Sequence, residues 1–202
     1  SGGPAQGKGG NSMTTLNVRL SALQAQGWQV QSHTLTTAQT YLWGVTFALP
    51  FLLLAGGTYR VFLLPRTVLL DHTGLILLVV LAISVPLHEV LHGLGWKQAG
   101  RLPKGDVAFF IHNGMPMCTC RTILSTKAYL TGTLLPFFIL GFGSFLFLLI
   151  YPGTVSVLTA LVNLMLPGAD LIIAYRVLRS GAALIADNPD GAGFIALTRD
   201  AN

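Results

Sequence analysis

Between Lys127 and Asp170 the chain runs for 42 residues without a formal charge. A helix needs only about 20 apolar residues to cross the hydrocarbon core of a bilayer, so this one stretch has the length of two crossings, with Pro152-Gly153 as the turn between them. Of the 202 residues, 52% are hydrophobic and 9% charged, whereas soluble domains carry about 25% charged residues. Lipid is therefore the expected solvent for much of the surface.

Two further apolar stretches complete the pattern. Residues 41–59 have Trp43 near one end and Arg60 beyond the other, the usual interfacial anchors, and residues 74–96 follow a short polar connector. With 128–151 and 155–175, these predict a mainly α polytopic membrane protein of about four transmembrane helices. The long hydrophilic connector, 97–127, reads as a short β-hairpin between the second and third spans. Its strands are 106–112 and 115–121, around a type I′ turn at Asn113-Gly114. Pro116 marks the second strand as an edge or an irregular one.

Residues 1–12 are Gly-rich and read as a remnant of recombinant expression outside the fold, with the native chain starting at Met13. Residues 13–40 form a polar lead-in, helix then strand, 41–178 the membrane-embedded domain, and 179–202 a polar tail. Ten Lys and Arg residues fall on the side of the lead-in, the hairpin connector and the tail, and two on the other side. The positive-inside bias then places both termini in the cytoplasm of a multi-pass cell-membrane protein. The net charge of +5 forms no basic stripe with interleaved aromatics, so nucleic acid is not an expected partner. No internal repeat is visible, and the inverted-repeat transporter architecture gains no support.

The second span is interrupted by Ser84-Val85-Pro86-Leu87-His88-Glu89-Val90-Leu91-His92. On a helix, His88 and His92 lie on one face one turn apart and can grip one metal ion, for which Zn2+ suits a pair of neutral imidazoles. Glu89 beside them is placed to take a proton from an attacking water and pass it to a departing amine. Catalytic zinc takes three protein ligands, and Asp170 is the candidate third. It sits six residues before Arg176, as His92 sits five before Lys97, so the two are nearly level in the bilayer. Pro167-Gly168 should break the fourth helix just before it. Asn163, seven residues before Asp170, returns to nearly the same face and is a candidate substrate or oxyanion contact. A peptide cut here must be locally extended, and the hairpin offers a strand edge for it.

These residues resemble known sequences. His88-Glu89-Val90-Leu91-His92 in one span and Asn163…Pro167-Gly168-Ala169-Asp170 in another are similar to site-2 protease-type intramembrane metalloproteases. The nearer likeness is to a small zincin peptidase family of prokaryotic membrane proteins. It covers most of residues 27–197, including Met117-Cys118-Thr119-Cys120, Leu135-Pro136 and Ala186-Asp187-Asn188-Pro189…Gly193-Phe194. The resemblance implies His88, His92 and Asp170 as zinc ligands and Glu89 as the catalytic acid/base. It also implies a membrane-protein or peptide substrate and a prokaryotic plasma membrane. Site-2 proteases usually carry Gly after this Asp, with a longer gap from their Pro, where Leu171 follows here.

Each residue also has a plainer reading. Asp170 can be the buried partner of a Tyr, Ser or Arg, and Asn163 can bridge helices. Cys118 and Cys120 share one strand face and can bind metal with His112, or form a small reduced pair. His33 and His72 read as surface residues. For the whole protein the rivals are a non-catalytic metal-binding transporter or sensor subunit, which has no need of Glu89, and an inactive scaffold that binds membrane proteins. Oligomeric state has no signal in the sequence.

Overall fold

A computed structural model describes residues 10–64, 72–103, 105–112, 115–188 and 191–199. Four helical stretches are long and apolar enough to cross a membrane: Thr37–Leu63, Thr73–Ala99, Thr126–Ile150 and Thr154–Ser180. Large side chains such as Leu53, Phe62, Leu78, Ile83 and Ile150 stand exposed along them. An apolar belt of this extent is stable only against an apolar neighbour.

The first stretch is α2 (Thr37–Thr58) followed by a π-helical turn, Tyr59–Leu63. Its start is set by a capping box, in which Thr36 Oγ1 accepts the Gln39 N–H at 3.2 Å and Gln39 Oε1 accepts the Thr36 N–H at 3.1 Å. The second stretch is α3 (Thr73–Ala99), unbroken although Pro86 leaves one backbone bond unmade inside it. The third comprises α4 (Thr126–Pro136), a π-helical segment (Phe137–Phe142) and α5 (Gly143–Ile150). The wider turn begins right after Pro136, which has no N–H to bond the Gly132 carbonyl. The fourth is broken as expected, into α6 (Thr154–Met165) and α7 (Gly168–Ser180).

The hairpin is also present as β2 (Val107–His112) and β3 (Met115–Cys120), paired antiparallel with Phe109 opposite Cys118. Its turn, Asn113-Gly114, lies outside the described residues. The lead-in is helix α1 (Gly10–Ala25) and strand β1 (Trp28–Thr34); α1 takes in Gly10 to Ser12, which had been expected outside the fold.

The polar tail holds more structure than its composition suggested. Strands β5 (Leu184–Asp187) and β6 (Gly193–Arg199) join β1 and the short β4 (Ile123–Ser125) in an antiparallel sheet of order β1-β6-β5-β4. One face packs Leu184, Ala186, Ile195 and Leu197 against Leu16 and Leu20 of α1. The other packs Ile185, Phe194 and Ala196 into a core with Trp96, Cys120, Tyr129 and Val177. The sheet therefore lies between α1 and the ends of the long helices, and it carries Asp187 to the cavity that His88 and His92 also line.

Candidate metal centre

α3 presents His88 and His92 on its buried face, Nε2 to Nε2 3.1 Å apart and with ring planes at 87°. α7 delivers the third group. Asp170 lies in the first turn of that helix, where free backbone N–H groups favour a carboxylate. Its Oδ2 stands 3.1 Å from His88 Nε2 and its Oδ1 3.4 Å from His92 Nε2. Close packing of α7 on α2 accompanies this approach: Gly168 meets the backbone of Gly44 where no Cβ would fit. The level placement of Asp170 with His92, expected from depth alone, is present in three dimensions.

The second histidine is held at its far nitrogen. His92 Nδ1 lies 3.0 Å from the Gly132 carbonyl oxygen. A carbonyl can only accept, so Nδ1 is the donor, and Nε2, on the Asp170 side, is the nitrogen left to hold a metal. The ring is stacked on Trp96, with centroids 5.4 Å apart, and the Trp96 Nε1–H donates to the Tyr129 carbonyl at 3.0 Å. Two carbonyls of α4 thus orient one imidazole and the indole that backs it.

The donor set fits zinc. Two ligands at about 2.0–2.1 Å from a tetrahedral ion stand about 3.3 Å apart, close to the 3.1 Å between the two Nε2 atoms and to the 3.1 and 3.4 Å at which Asp170 approaches one imidazole with each of its two oxygens. Asp170 Oδ2 is buried and receives no hydrogen bond among the described residues, an orphaned oxygen that a cation would satisfy.

Glu89 belongs to the same cluster. The ligand-type atoms of His88, Glu89 and His92 all lie within 4.8 Å of one another. Glu89 Oε2 accepts the Cys118 N–H at 2.7 Å, which holds this carboxylate against β3 while Asp170 stands nearer the imidazoles. The cluster lines a cavity of about 270 Å³ walled also by Cys118 and Asp187.

Asp187 did not emerge as a site residue from sequence reasoning, although it lies in the quoted Ala186-Asp187-Asn188 stretch. It accepts hydrogen bonds from the Thr119 hydroxyl at 2.7 Å and from the Cys120 N–H and Tyr129 hydroxyl, each at 3.2 Å. Burial pushes its carboxyl up to about 6 in spite of these donors. Asp187 ties β3 to β5 and α4, and so fixes the strand that holds Glu89.

The other candidates separate from this centre. Asn163 is buried in α6, its Oδ1 accepts no hydrogen bond among the described residues, and it does not line the cavity. Cys118 and Cys120 are unpaired by disulfide. Burial pushes the Cys118 thiol up strongly and the Cys120 thiol to about 12, and among the described residues the two cysteines join no metal-type cluster of His, Cys, Asp or Glu. His33 stacks on Phe194 and His72 precedes α3, both away from the cluster.

Four helices of crossing length and a helix-borne His-Glu-x-x-His motif define a membrane protein with a zincin-type site. The chain belongs to the family described as "Putative zincin peptidase", whose sequence model matches residues 81–185, just over half of the chain and every residue of the cluster. Membership and the His88-Glu89-His92 arrangement together make it a zinc metallopeptidase by class. No curated protein and no solved structure matches it.

Proposed function

We propose that this protein is an intramembrane metalloendopeptidase of the site-2 protease type, which hydrolyses peptide bonds of membrane-protein substrates. The observation that carries the reading is the convergence of His88, His92 and Asp170 beside Glu89 on spans of crossing length. An isolated carboxylate at such depth costs about 2.5–3.5 kcal/mol even on insertion scales, and two of them on facing helices are accounted for by a cation and a proton-transfer role.

His88 Nε2, His92 Nε2 and the Asp170 carboxylate would hold the zinc ion. When bound, it supplies Lewis-acid polarisation of water and of the scissile carbonyl. Glu89 takes the proton of the attacking water and returns it to the departing nitrogen. The substrate would lie extended along the edge of β3 away from β2. There the Cys118 N–H is engaged by Glu89, so an incoming peptide carbonyl that takes this N–H frees the carboxylate for catalysis. The Lys and Arg distribution favours cytoplasmic termini in a cell membrane.

Glu89→Gln tests the reading. With an apolar fluorogenic peptide in detergent micelles, cleavage should fall by roughly 10²–10⁴-fold while bound zinc stays at the wild-type level. Unchanged cleavage would refute the role of Glu89, and a metal-binding transporter or sensor subunit would then be the better description.

A further inference from the structure

Beside the metal cavity lies a second hollow of about 270 Å³, bounded by Tyr41, Gly44 and Val45 of α2, Leu81 of α3, and Val162 and Met165 of α6. Its walls are almost wholly apolar. Three residues, Thr40, Leu166 and Ala169, line both this hollow and the metal cavity, so they form the partition between the two. α2 packs along α6 and α7, and α3 along α4 and α6, while α2 and α3 scarcely touch. The hollow is the space between α2 and α3, and its rim residues Tyr41, Val45 and Met165 are exposed in the apolar belt.

We infer that this hollow is a specificity pocket for a large aliphatic side chain of the bound peptide, reached from the lipid side between α2 and α3. The inference rests on the peptidase reading and extends it to substrate preference. Size excludes a helix, whose diameter with side chains is about 10–12 Å, and admits two or three aliphatic side chains, each several times the roughly 30 Å³ of a water. The occupant is therefore a locally unwound segment. Ala169 precedes Asp170, and Leu81 lies seven residues before His88, a distance of about 10.5 Å along α3. At about 3.3 Å per extended residue, the pocket reads a side chain within about three residues of the scissile bond. Continuity with the metal cavity favours a peptide over a free acyl chain as the occupant.

The test uses the zinc-loaded full chain and fluorogenic peptides carrying Leu or Ala at each of the three positions on either side of the cleaved bond. At one position the wild type should prefer Leu by roughly tenfold or more. Leu81→Trp, and independently Val45→Trp on the exposed rim, fill the hollow and should abolish or reverse that preference with zinc content unchanged. Variants that still cut with the wild-type preference would overturn the inference. A second arm does not depend on turnover. Glu89→Gln protein in phosphatidylcholine vesicles is crosslinked to a leucine-rich peptide bearing a photoreactive benzoylphenylalanine. Crosslinks to α2 and α3 at the hollow support the pocket, and crosslinks confined to other helices, or none where phospholipid fills the hollow, overturn it. A wild type that cuts none of the peptides counts against the peptidase reading, and the crosslinks still decide the pocket.

Discussion

Replacing Gly132 by Ala places one methyl group at the tightest point between α3 and α4. A Cβ there would fall against Cδ1, Nε1 and Cγ of Trp96. That indole cannot swing aside, because it is stacked between His92 and Tyr129 and hydrogen-bonded to the Tyr129 carbonyl. The helices themselves are in backbone contact, since a Cβ on Gly95 would stand 2.6 Å from the Gly132 Cα. The methyl is accommodated only if α4 retreats, by about 1.5 Å to reach ordinary packing, and this stretches the 3.0 Å contact between His92 Nδ1 and the Gly132 carbonyl beyond hydrogen-bonding range. Overpacking of this kind costs about 1–3 kcal/mol of stability. Loss of the bond that orients a metal-ligating histidine weakens metal binding by about 10–100-fold, or roughly 1.4–2.7 kcal/mol. Zinc competition against a chromogenic chelator in detergent would measure the second effect and thermal unfolding the first. Gly143→Ala is the matched control, as a Cβ there meets nothing within 4 Å. Wild-type zinc affinity in Gly132→Ala would refute the claim that this carbonyl orients His92, even if Tm fell.

Asp170→Ala should lose bound zinc in metal analysis of the purified protein, while Cys118→Ser and Cys120→Ser retain it; the reverse pattern would move the third ligand to β3. Asp187 binds its proton more tightly folded than unfolded, with a folded value of about 6 against 3.8. Its contribution to stability is therefore full below pH ~4 and is lost as pH rises through ~6. Asp187→Asn should flatten the decline in unfolding stability between pH 4 and 6.5, and an unchanged slope would contradict the assignment.

Much of the site was legible because its determinants are local or one-dimensional. His88, Glu89 and His92 share a turn of one helix, so their juxtaposition follows from helical periodicity alone. Asp170 was singled out by depth, since two helices crossing the same slab bring residues at equal distance from the interface to the same level, and it does stand beside both imidazoles. Asn163 was singled out by helical phase, and the structure leaves it buried in α6 and outside the lining of the cavity.

The amino-acid sequence by itself determined the four apolar spans, the interruption of the fourth helix, the hairpin and the His88-Glu89-His92 turn, because bilayer thickness, helical pitch and proline's missing N–H act along the chain. Only the tertiary structure decided the sheet that joins Trp28–Thr34 to Gly193–Arg199 and, through it, the place of Asp187. It also decided the backing of His92 by Trp96 and the Gly132 carbonyl, and the apolar hollow between α2 and α3. Each of these depends on surfaces far apart in sequence. Strands as short as Leu184–Asp187 carry too few residues to show an alternating pattern, and close approach of two helix backbones depends on what each glycine meets across the interface.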